Sequence, residues 1–441
     1  MVNNFLQGED PDIVKIAKRC SIPRFFHTDL IVALADEPMT TQQAEAILEE
    51  INDLELVQDL GNGRFVYRPE VREELRSELQ TGAHDLFFLL NQRALAYFDS
   101  KLPDGYKVSE MIWGQMRGEQ LSALRERIYH LLQINFEAGF SEFQLLLRSA
   151  QDLSLVGEAS ALLKIINSLD KSILNEEQQN RLEYFDAWQK NVEGDSTSAE
   201  AKLSHLLTRH LSDALRSQVL TLLGKIYKAA TDFDKAISAF QEAQKISLSL
   251  QLPRQSAALA NDLGDSYYKQ KDFGNAEKFF QQALVVFEKI SDPIGESKSL
   301  NNLGFVRFRQ GRWKEAFDLF EKSIALKLQI GDQFGAAITR QNIARQYQEL
   351  SKRDLNNKSS KLSWEKAFEN YLQSLETFRH MGALSNQVQV LSELAQLYLN
   401  INDEAQARKF FEEALPIYRT VQLRTELAEF VRLAKQFGLQ S

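Results

Sequence analysis

Residues 257–296 read AALANDLGDSYYKQKDFGNAEKFFQQALVVFEKISDPIGE, and the rest of the C-terminal half repeats this stretch. Leu263-Gly264 is followed at fixed distances by Tyr267, Phe273, Ala276, Phe280 and Ala283. The same register, offset by 40 residues, holds Leu223-Gly224, Tyr227, Phe233, Ala236, Phe240 and Ala243 on one side. On the other it holds Leu303-Gly304, Arg307, Trp313, Ala316, Phe320 and Ser323. A fourth unit opens with Ile343-Ala344 and Tyr347 and closes with Trp364, Ala367, Tyr371 and Ser374. A fifth carries Leu394-Ala395, Tyr398, Ala407, Phe411 and Ala414, and a degenerate earlier unit carries Ala187, Ala199, Leu203 and Leu206. Within each half-unit the apolar residues recur at three and four, which places them on one helical face. Small residues let two antiparallel helices approach, and aromatics fill the space between one pair and the next. No pair can bury its face alone, so the pairs must stack. Lys271-Asp272, Gln310-Gly311-Arg312 and Gly331-Asp332 read as the turns. Pro253 and Pro293 fall between pairs, where proline is expected to end a helix.

This register resembles the tetratricopeptide repeat, carried by Leu263, Gly264, Tyr267, Ala276, Phe280, Ala283 and Pro293 and their counterparts. The 40-residue period resembles the extended variety of kinesin light chains and Rap-type regulators. The resemblance implies a mainly α fold, a right-handed superhelical solenoid of helix-turn-helix repeats. Units are expected near 181–212, 217–250, 257–290, 297–330, 337–380 and 388–420. A capping helix through Leu427, Phe430, Val431, Ala434 and Phe437 is expected to follow. Arg307 departs from the pattern, where an aromatic is expected. The fourth unit also departs, and its extra polar residues 351–361 read as a surface loop.

Composition agrees with a helical chain. The 441 residues hold only 20 Gly and 8 Pro, too few for a turn-rich β-sandwich or a low-complexity chain. One cysteine, Cys20, excludes an intrachain disulfide and a multi-thiolate metal site. No apolar run is long enough to span a membrane, and the N-terminus does not read as a signal peptide, so a cytoplasmic location is expected. The net charge of −9 is uneven: residues 1–213 carry −14, residues 214–350 carry +4 and residues 351–441 carry +1.

The acidic half contains a distinct block. Asp29–Ala35 reads as a short helix and Thr40 caps a second through Asp53. Leu56–Leu60 and Arg64–Tyr67 flank Gly61-Asn62-Gly63 as a hairpin, and a helix over Glu70–Leu79 follows Pro69. The block resembles the winged-helix segment that joins the NTPase module to the repeats in signal-transducing NTPases with numerous domains. The expected organisation is a winged-helix-like domain over 1–80, a helical connector over 81–180 and the solenoid over 181–441. Asp85–Phe98 and Gln120–Phe136 are expected as connector helices, with loops near Gly105 and Gly114–Gly118. No G-x-x-x-x-G-K-[ST] is present, so the NTPase module is not expected here. From Asp29 to Leu60 there are nine acids and no Lys or Arg, a sign of charge that opposes phosphate contact. Arg64, Arg68, Arg72 and Arg76 lie beyond but are interleaved with acids.

The candidate site is the concave face of the solenoid, lined by the first helix of each pair. By register it presents Thr221, Lys225 and Ala229, then Asn261, Asp265 and Lys269, then Asn301, Phe305 and Arg309, then Gln341, Arg345 and Glu349. Lys228 and Lys298 lie close to the same line. Such a ladder suits hydrogen bonds to an extended or helical peptide and attraction of carboxylates. The expected function is a non-enzymatic adaptor or sensor that holds a peptide or protein segment, an acidic one being favoured. No cofactor, metal, membrane or DNA partner is expected. The six histidines are scattered, and no H-E-x-x-H or G-x-S-x-G occurs. The alternative is a transcriptional regulator whose repeats sense a ligand while the winged helix contacts DNA.

Overall fold

The structure, a computed structural model, describes residues 6, 8–103, 118–152, 156–168, 174–352 and 358–421. The chain divides into two compact units, 1–199 and 200–441.

The first unit opens with α1 (Pro11–Cys20), α2 (Thr28–Leu34) and α3 (Thr41–Asp53), followed by the strands β1 (Val57–Asp59) and β2 (Phe65–Tyr67). Thr40 and Gln43 close a reciprocal capping box at the start of α3, as the sequence indicates. The antiparallel hairpin pairs Val57 with Tyr67 and Asp59 with Phe65. Its turn needs positive φ at three successive positions, supplied by Gly61, Asn62 and Gly63. Phe26, between α1 and α2, bridges Phe65 with a pair of backbone hydrogen bonds of 2.9 and 2.8 Å, which adds a third extended segment to the hairpin. The sequence reading missed α1. Its apolar residues Ile13, Ile16, Ala17 and Cys20 are buried against the same core as Leu30, Ile51 and Tyr67. The Cys20 thiol is fully enclosed, and burial pushes its pKa far up, which makes it an inert core group.

α4 (Pro69–Gly82), α5 (His84–Asp99), α6 (Glu119–Ile134), α7 (Phe136–Asp152), α8 (Val156–Asn167) and α9 (Glu176–Val192) complete this unit, and α10 (Ser196–Leu206) straddles its end. Residues from Leu6 to Phe185 share one apolar cluster. Arginines tie the pieces together. Arg72 donates to the carbonyls of Ser21, Ile22 and Pro23 and to the Tyr129 hydroxyl, and Arg76 donates to Gln133. Arg19 and Arg93 both donate to the carbonyl of Leu34 and pair with Asp36, whose carboxyl they hold well below the usual range together with Lys15.

His130 sits fully buried on α6 with Nδ1 2.9 Å from Asn91 Oδ1. Burial pushes its pKa well below the ordinary value, and Arg72, Arg24 and Arg76 add to the shift. A depressed folded pKa stabilises the fold above the unfolded pKa of about 6.5. That stability is lost as pH falls from there towards the folded value. Urea unfolding between pH 7.5 and 5 is therefore expected to weaken by up to about 1.4 kcal/mol per pH unit below pH 6.5. His27 is also lowered by burial, so a His130→Gln chain is the control. An unchanged slope in that chain would refute the assignment.

The second unit is a run of antiparallel helix pairs. They are α11 (Asp213–Ala229) with α12 (Phe233–Ser249), α13 (Pro253–Lys269) with α14 (Phe273–Lys289), and α15 (Pro293–Arg309) with α16 (Trp313–Gln329). Then come α17 (Gln333–Ser351) with α18 (Lys358–His380) and α19 (Leu384–Leu399) with α20 (Glu404–Val421). The turns follow one recipe. Thr231, Lys271 and Gly311 hold φ of 62, 66 and 79° between the helices of a pair. Gln251, Ser291 and Gly331 hold 55, 54 and 79° between pairs. Each closes the preceding helix with the next N–H returning to the carbonyl five residues back, as from Asp232 to Tyr227 and Asp272 to Tyr267. Asp232, Asp272, Asp292 and Asp332 then cap the following helix.

The expected close approach inside each pair is present. A Cβ built on Gly224, Gly264 or Gly304 would fall 2.5–2.6 Å from the ring of Phe240, Phe280 or Phe320. Arg307 replaces the expected aromatic with an ion pair to Glu277 at 2.5 Å. Two expectations are corrected. Pro253 and Pro293 do not end helices but start them at the first position, where the missing N–H costs nothing. The polar insertion is not a loop throughout. Ser351 closes α17 and 358–361 belong to α18, which runs for 23 residues, while 353–357 lie outside the described residues. Gly105, Gly114 and the Leu427–Phe437 stretch also lie outside them. Among the described residues no helix is long and apolar enough to cross a membrane.

Candidate functional site

The residues expected to line the groove lie on α11, α13, α15 and α17, the first helices of four of the pairs. On each, Leu-Gly or its equivalent is buried. Lys225, Ala229, Lys269 and Arg309 are exposed, and Asn261, Asp265, Asn301, Phe305 and Arg345 are half-buried. Gln341 is only 3% exposed, so its expected place on an open face is corrected. Neighbouring first helices meet along this face. Tyr268 of α13 tilts against Phe305 of α15 with ring centroids 6.3 Å apart, and Phe305 also stands edge-on to Phe320 at 5.2 Å. Phe305 is therefore a half-buried ledge between two repeats rather than a free aromatic.

The charged residues form a ladder of contacts between repeats. Lys228 Nζ of α11 lies 3.1 Å from Asp262 and 2.9 Å from Asp265 of α13. Burial alone would lower its pKa, but the two carboxylates outweigh burial and raise it. Asn261 and Ser299 exchange hydrogen bonds of 3.0 and 3.1 Å from α13 to α15. Arg309 of α15 donates to the Tyr268 hydroxyl at 3.2 Å and reaches both oxygens of Glu349 on α17 at 3.0 Å. Gln341 and Arg345 of α17 both bind Glu393 of α19. The Gln341 amide donates to Oε2 at 3.0 Å, and the Arg345 guanidinium grips Oε1 at 2.8 and 2.5 Å. The Glu393 side chain is only 10% exposed.

Much of the expected ladder is thus engaged between repeats. Lys228, Arg309 and Arg345 are each neutralised by an acid of the next repeat. Thr221 turns back to the Ser217 carbonyl at 2.7 Å. Lys225, Lys269 and Lys298 are exposed and make no ion pair among the described residues. Asn301 reaches only Asn302, at 3.5 Å, and its Oδ1 is buried without a hydrogen-bond partner.

The sequence reading missed Asp262, Ser299, Tyr268 and Glu393. A signal for two of them was present. Asp262, Asn302, Asn342 and Glu393 all stand immediately before the Leu or Ile of the motif, a register that was read as packing alone. In the structure this residue reaches sideways to the preceding repeat or to its own groove neighbour.

In the first unit, α3 exposes Gln42, Glu45, Glu49, Glu50, Asn52 and Asp53. Arg72 and Arg76 point into the core contacts described above. Arg64 lies over the Phe25 ring, 4.9 Å from its centroid, and 3.9 Å from Glu119, which leaves Arg68 as the exposed arginine of the four. Among the described residues no group of three or more His, Cys, Asp or Glu is arranged to hold a metal ion.

Comparison with known proteins agrees with the repeat register. Tetratricopeptide repeat models match residues 213–289, 254–329 and 295–354, and a second tetratricopeptide repeat model matches 388–421. These segments of the chain are tetratricopeptide repeats. No curated protein matches the sequence. Among solved structures the chain is similar to a signal transduction ATPase with numerous domains carrying a tetratricopeptide repeat sensor, from Pyrococcus horikoshii. The TM-score is 0.57 at 13% identity, over 98% of this chain and 61% of that one. This chain therefore spans under two thirds of that protein's length. It is also similar to a Rap protein complexed with competence and sporulation factor, with a TM-score of 0.49 at 12% identity over 72% and 81% of the chains. Aspartyl phosphate phosphatase F from Bacillus subtilis gives 0.46 at 13% identity over 95% and 93%.

Proposed function

We propose that the protein is a non-enzymatic, cytoplasmic adaptor or sensor whose repeats hold a peptide or protein segment in their concave groove. The observation that carries this reading is the polar ladder itself. Hydrogen-bonding side chains line five successive first helices, and within the ladder an amide oxygen of Asn301 is left without a partner. That oxygen is itself enclosed, so the groups a bound chain would meet are the exposed Lys225, Lys269, Lys298 and Arg309 of the same ladder. Phe305 and Tyr268 offer an apolar ledge beside it. The Pyrococcus protein is described as using its repeats as a sensor, and the same use is proposed here.

The first unit is proposed to dock a second partner. Its helix, helix, hairpin order with the Phe26–Phe65 bridge supports a winged-helix-like reading. The acidic face of α3 and the inward engagement of Arg72 and Arg76 argue against a DNA-reading role.

The test is capture of partners from host lysate by the full chain and by a Lys298→Ala/Asn301→Ala chain. Arg345→Ala is unsuited, because it would strand the buried Glu393 carboxylate. Capture is expected to fall about tenfold, the loss usual for a pair of central contacts, with circular dichroism unchanged. Equal capture by both chains would contradict the groove reading.

A further inference from the structure

We propose that the anion-reading part of the groove is confined to its first three repeats, where Lys225, Lys269 and Lys298 receive the carboxylates of an acidic segment, and that Glu393 sets this limit by holding Arg345 as an internal stand-in for a ligand carboxylate. The inference rests on the groove being the capture site.

Six cations occupy groove-facing or adjoining positions: Lys225, Lys228, Lys269, Lys298, Arg309 and Arg345. Their availability differs by the company they keep. Arg309 and Glu349 are 40 and 41% exposed, so their pair is weakly held and water competes for it. Lys228 is 19% exposed between two aspartates and has no charge to spare. Arg345 is committed most firmly. Glu393 is enclosed, and its two oxygens take separate donors, Gln341 on Oε2 and the guanidinium on Oε1. An incoming carboxylate that displaced Glu393 from the guanidinium would leave a desolvated carboxylate buried with only the Gln341 amide for a partner. The Arg345 side chain is itself 37% exposed, but its charge is already matched by the enclosed Glu393, so the fourth repeat attracts an anion less than the unpaired lysines do.

The three lysines have no such commitment. Lys298, Asn301, Phe305 and Arg309 fall at i, i+3, i+7 and i+11 on α15, one face of one helix. Lys269 ends the corresponding face of α13, one residue after Tyr268. Lys225 stands at the position on α11 that Asp265 takes on α13 and Phe305 on α15. Charge on the groove thus falls off from the first three repeats towards the fifth, and the favoured occupant is a segment with carboxylates flanking an apolar residue for the Phe305 ledge. The excess of base over acid in residues 214–350 has the same sign.

Fluorescence anisotropy with the full chain tests this, using fluorescein-labelled octaglutamate as the probe and octaglutamine and octalysine as controls at low salt. Octaglutamate is expected to bind in a salt-dependent manner while octaglutamine does not. Octalysine, which the acidic residues 1–213 attract, is expected to keep its affinity in the lysine and Glu393 variants. Lys269→Ala/Lys298→Ala is expected to weaken it about tenfold. Glu393→Gln retains the size of the side chain and its acceptor oxygen but removes the charge that holds Arg345. It is expected to tighten octaglutamate several-fold. A Glu393→Gln/Arg345→Gln chain is expected to return to the native value, which separates the freed guanidinium from any loosening of the fold. Native affinity in the Glu393→Gln chain, or in the lysine double variant, overturns the proposal. Lysate capture by an Asn301→Ala chain, which changes no charge, tests the groove reading separately: lost capture with native octaglutamate affinity upholds the groove and leaves the charge proposal to the lysine and Glu393 variants.

Discussion

Phe320→Ala is expected to destabilise the repeat unit by about 4 kcal/mol, the usual loss for emptying a fully enclosed phenylalanine. The ring has no exposure and stands against Gly304 of the partner helix. The companion variant is more diagnostic. A glycine inside a helix normally gains up to about 1 kcal/mol on becoming alanine. At Gly304 the added Cβ falls 2.6 Å from Phe320 Cε1 and 2.8 Å from Cδ1, so the sign reverses and a loss of about 2 kcal/mol is expected from overpacking. The ring cannot retreat, because Phe305 and Phe317 stand against it with centroids at 5.2 and 6.4 Å. In the double variant the new methyl enters the space that the ring has left. The two losses should then sum to at least 1 kcal/mol less than additivity requires. Denaturant unfolding of the four chains measures this. Strict additivity would show that the glycine is not there to admit the ring.

Arg24→Ala is the second large effect, with an expected loss of about 3–5 kcal/mol in the first unit. Arg24 donates Nε and Nη2 to Glu126 Oε1 at 2.9 and 2.7 Å. The Glu126 side chain is 3% exposed and its other oxygen has no hydrogen-bond partner, so Arg24 is the principal compensation for a buried charge. The contact spans 102 residues and fastens the segment after α1 to α6. Removing the guanidinium leaves the carboxylate enclosed and unpaired. Glu126→Gln in the same background removes that charge and should recover at least half of the loss. A destabilisation that Glu126→Gln does not relieve would point to lost packing on Tyr129, whose ring centre is 5.6 Å from Arg24.

The fold was legible where a residue's role is local or repeats. The 40-residue register located the glycine and the phenylalanine of the Gly224–Phe240, Gly264–Phe280 and Gly304–Phe320 contacts, though not of Gly295–Phe287, because only a residue without a side chain admits the ring at that crossing. Thr40 and the glycine-rich hairpin were likewise readable from short-range hydrogen bonding, while Asp272 and Asp332 were read as turn residues and prove to be helix caps as well. What escaped was set by neighbours far away in sequence. α1 lacks a repeat and carries mixed polarity, with the exposed Lys15 and half-buried Lys18 interleaved with its buried residues, and Arg19 is buried because Asp36 and the Leu34 carbonyl receive it. The prolines were misread because proline interrupts a helix and initiates one for the same reason, its fixed φ and missing N–H. The insertion was misread because helix α18 extends on polar residues once its apolar face is anchored by Trp364, Ala367 and Tyr371. In the groove, spacing identified which residues share a face but not that the next repeat would neutralise them. Arg345 and Glu393 lie 48 residues apart, and their pairing follows from the side-by-side approach of α17 and α19.

The central claim is that the first-helix face of the repeats is where a polypeptide segment binds. Site-specific photocrosslinking in host lysate tests it most directly. A photoreactive phenylalanine replaces Phe305 in one chain and, in another, Val285, which is 62% exposed on the second helix α14. The account predicts discrete protein adducts from position 305 and none of the same species from position 285. Adducts of equal yield from both positions, or from 285 alone, would contradict it.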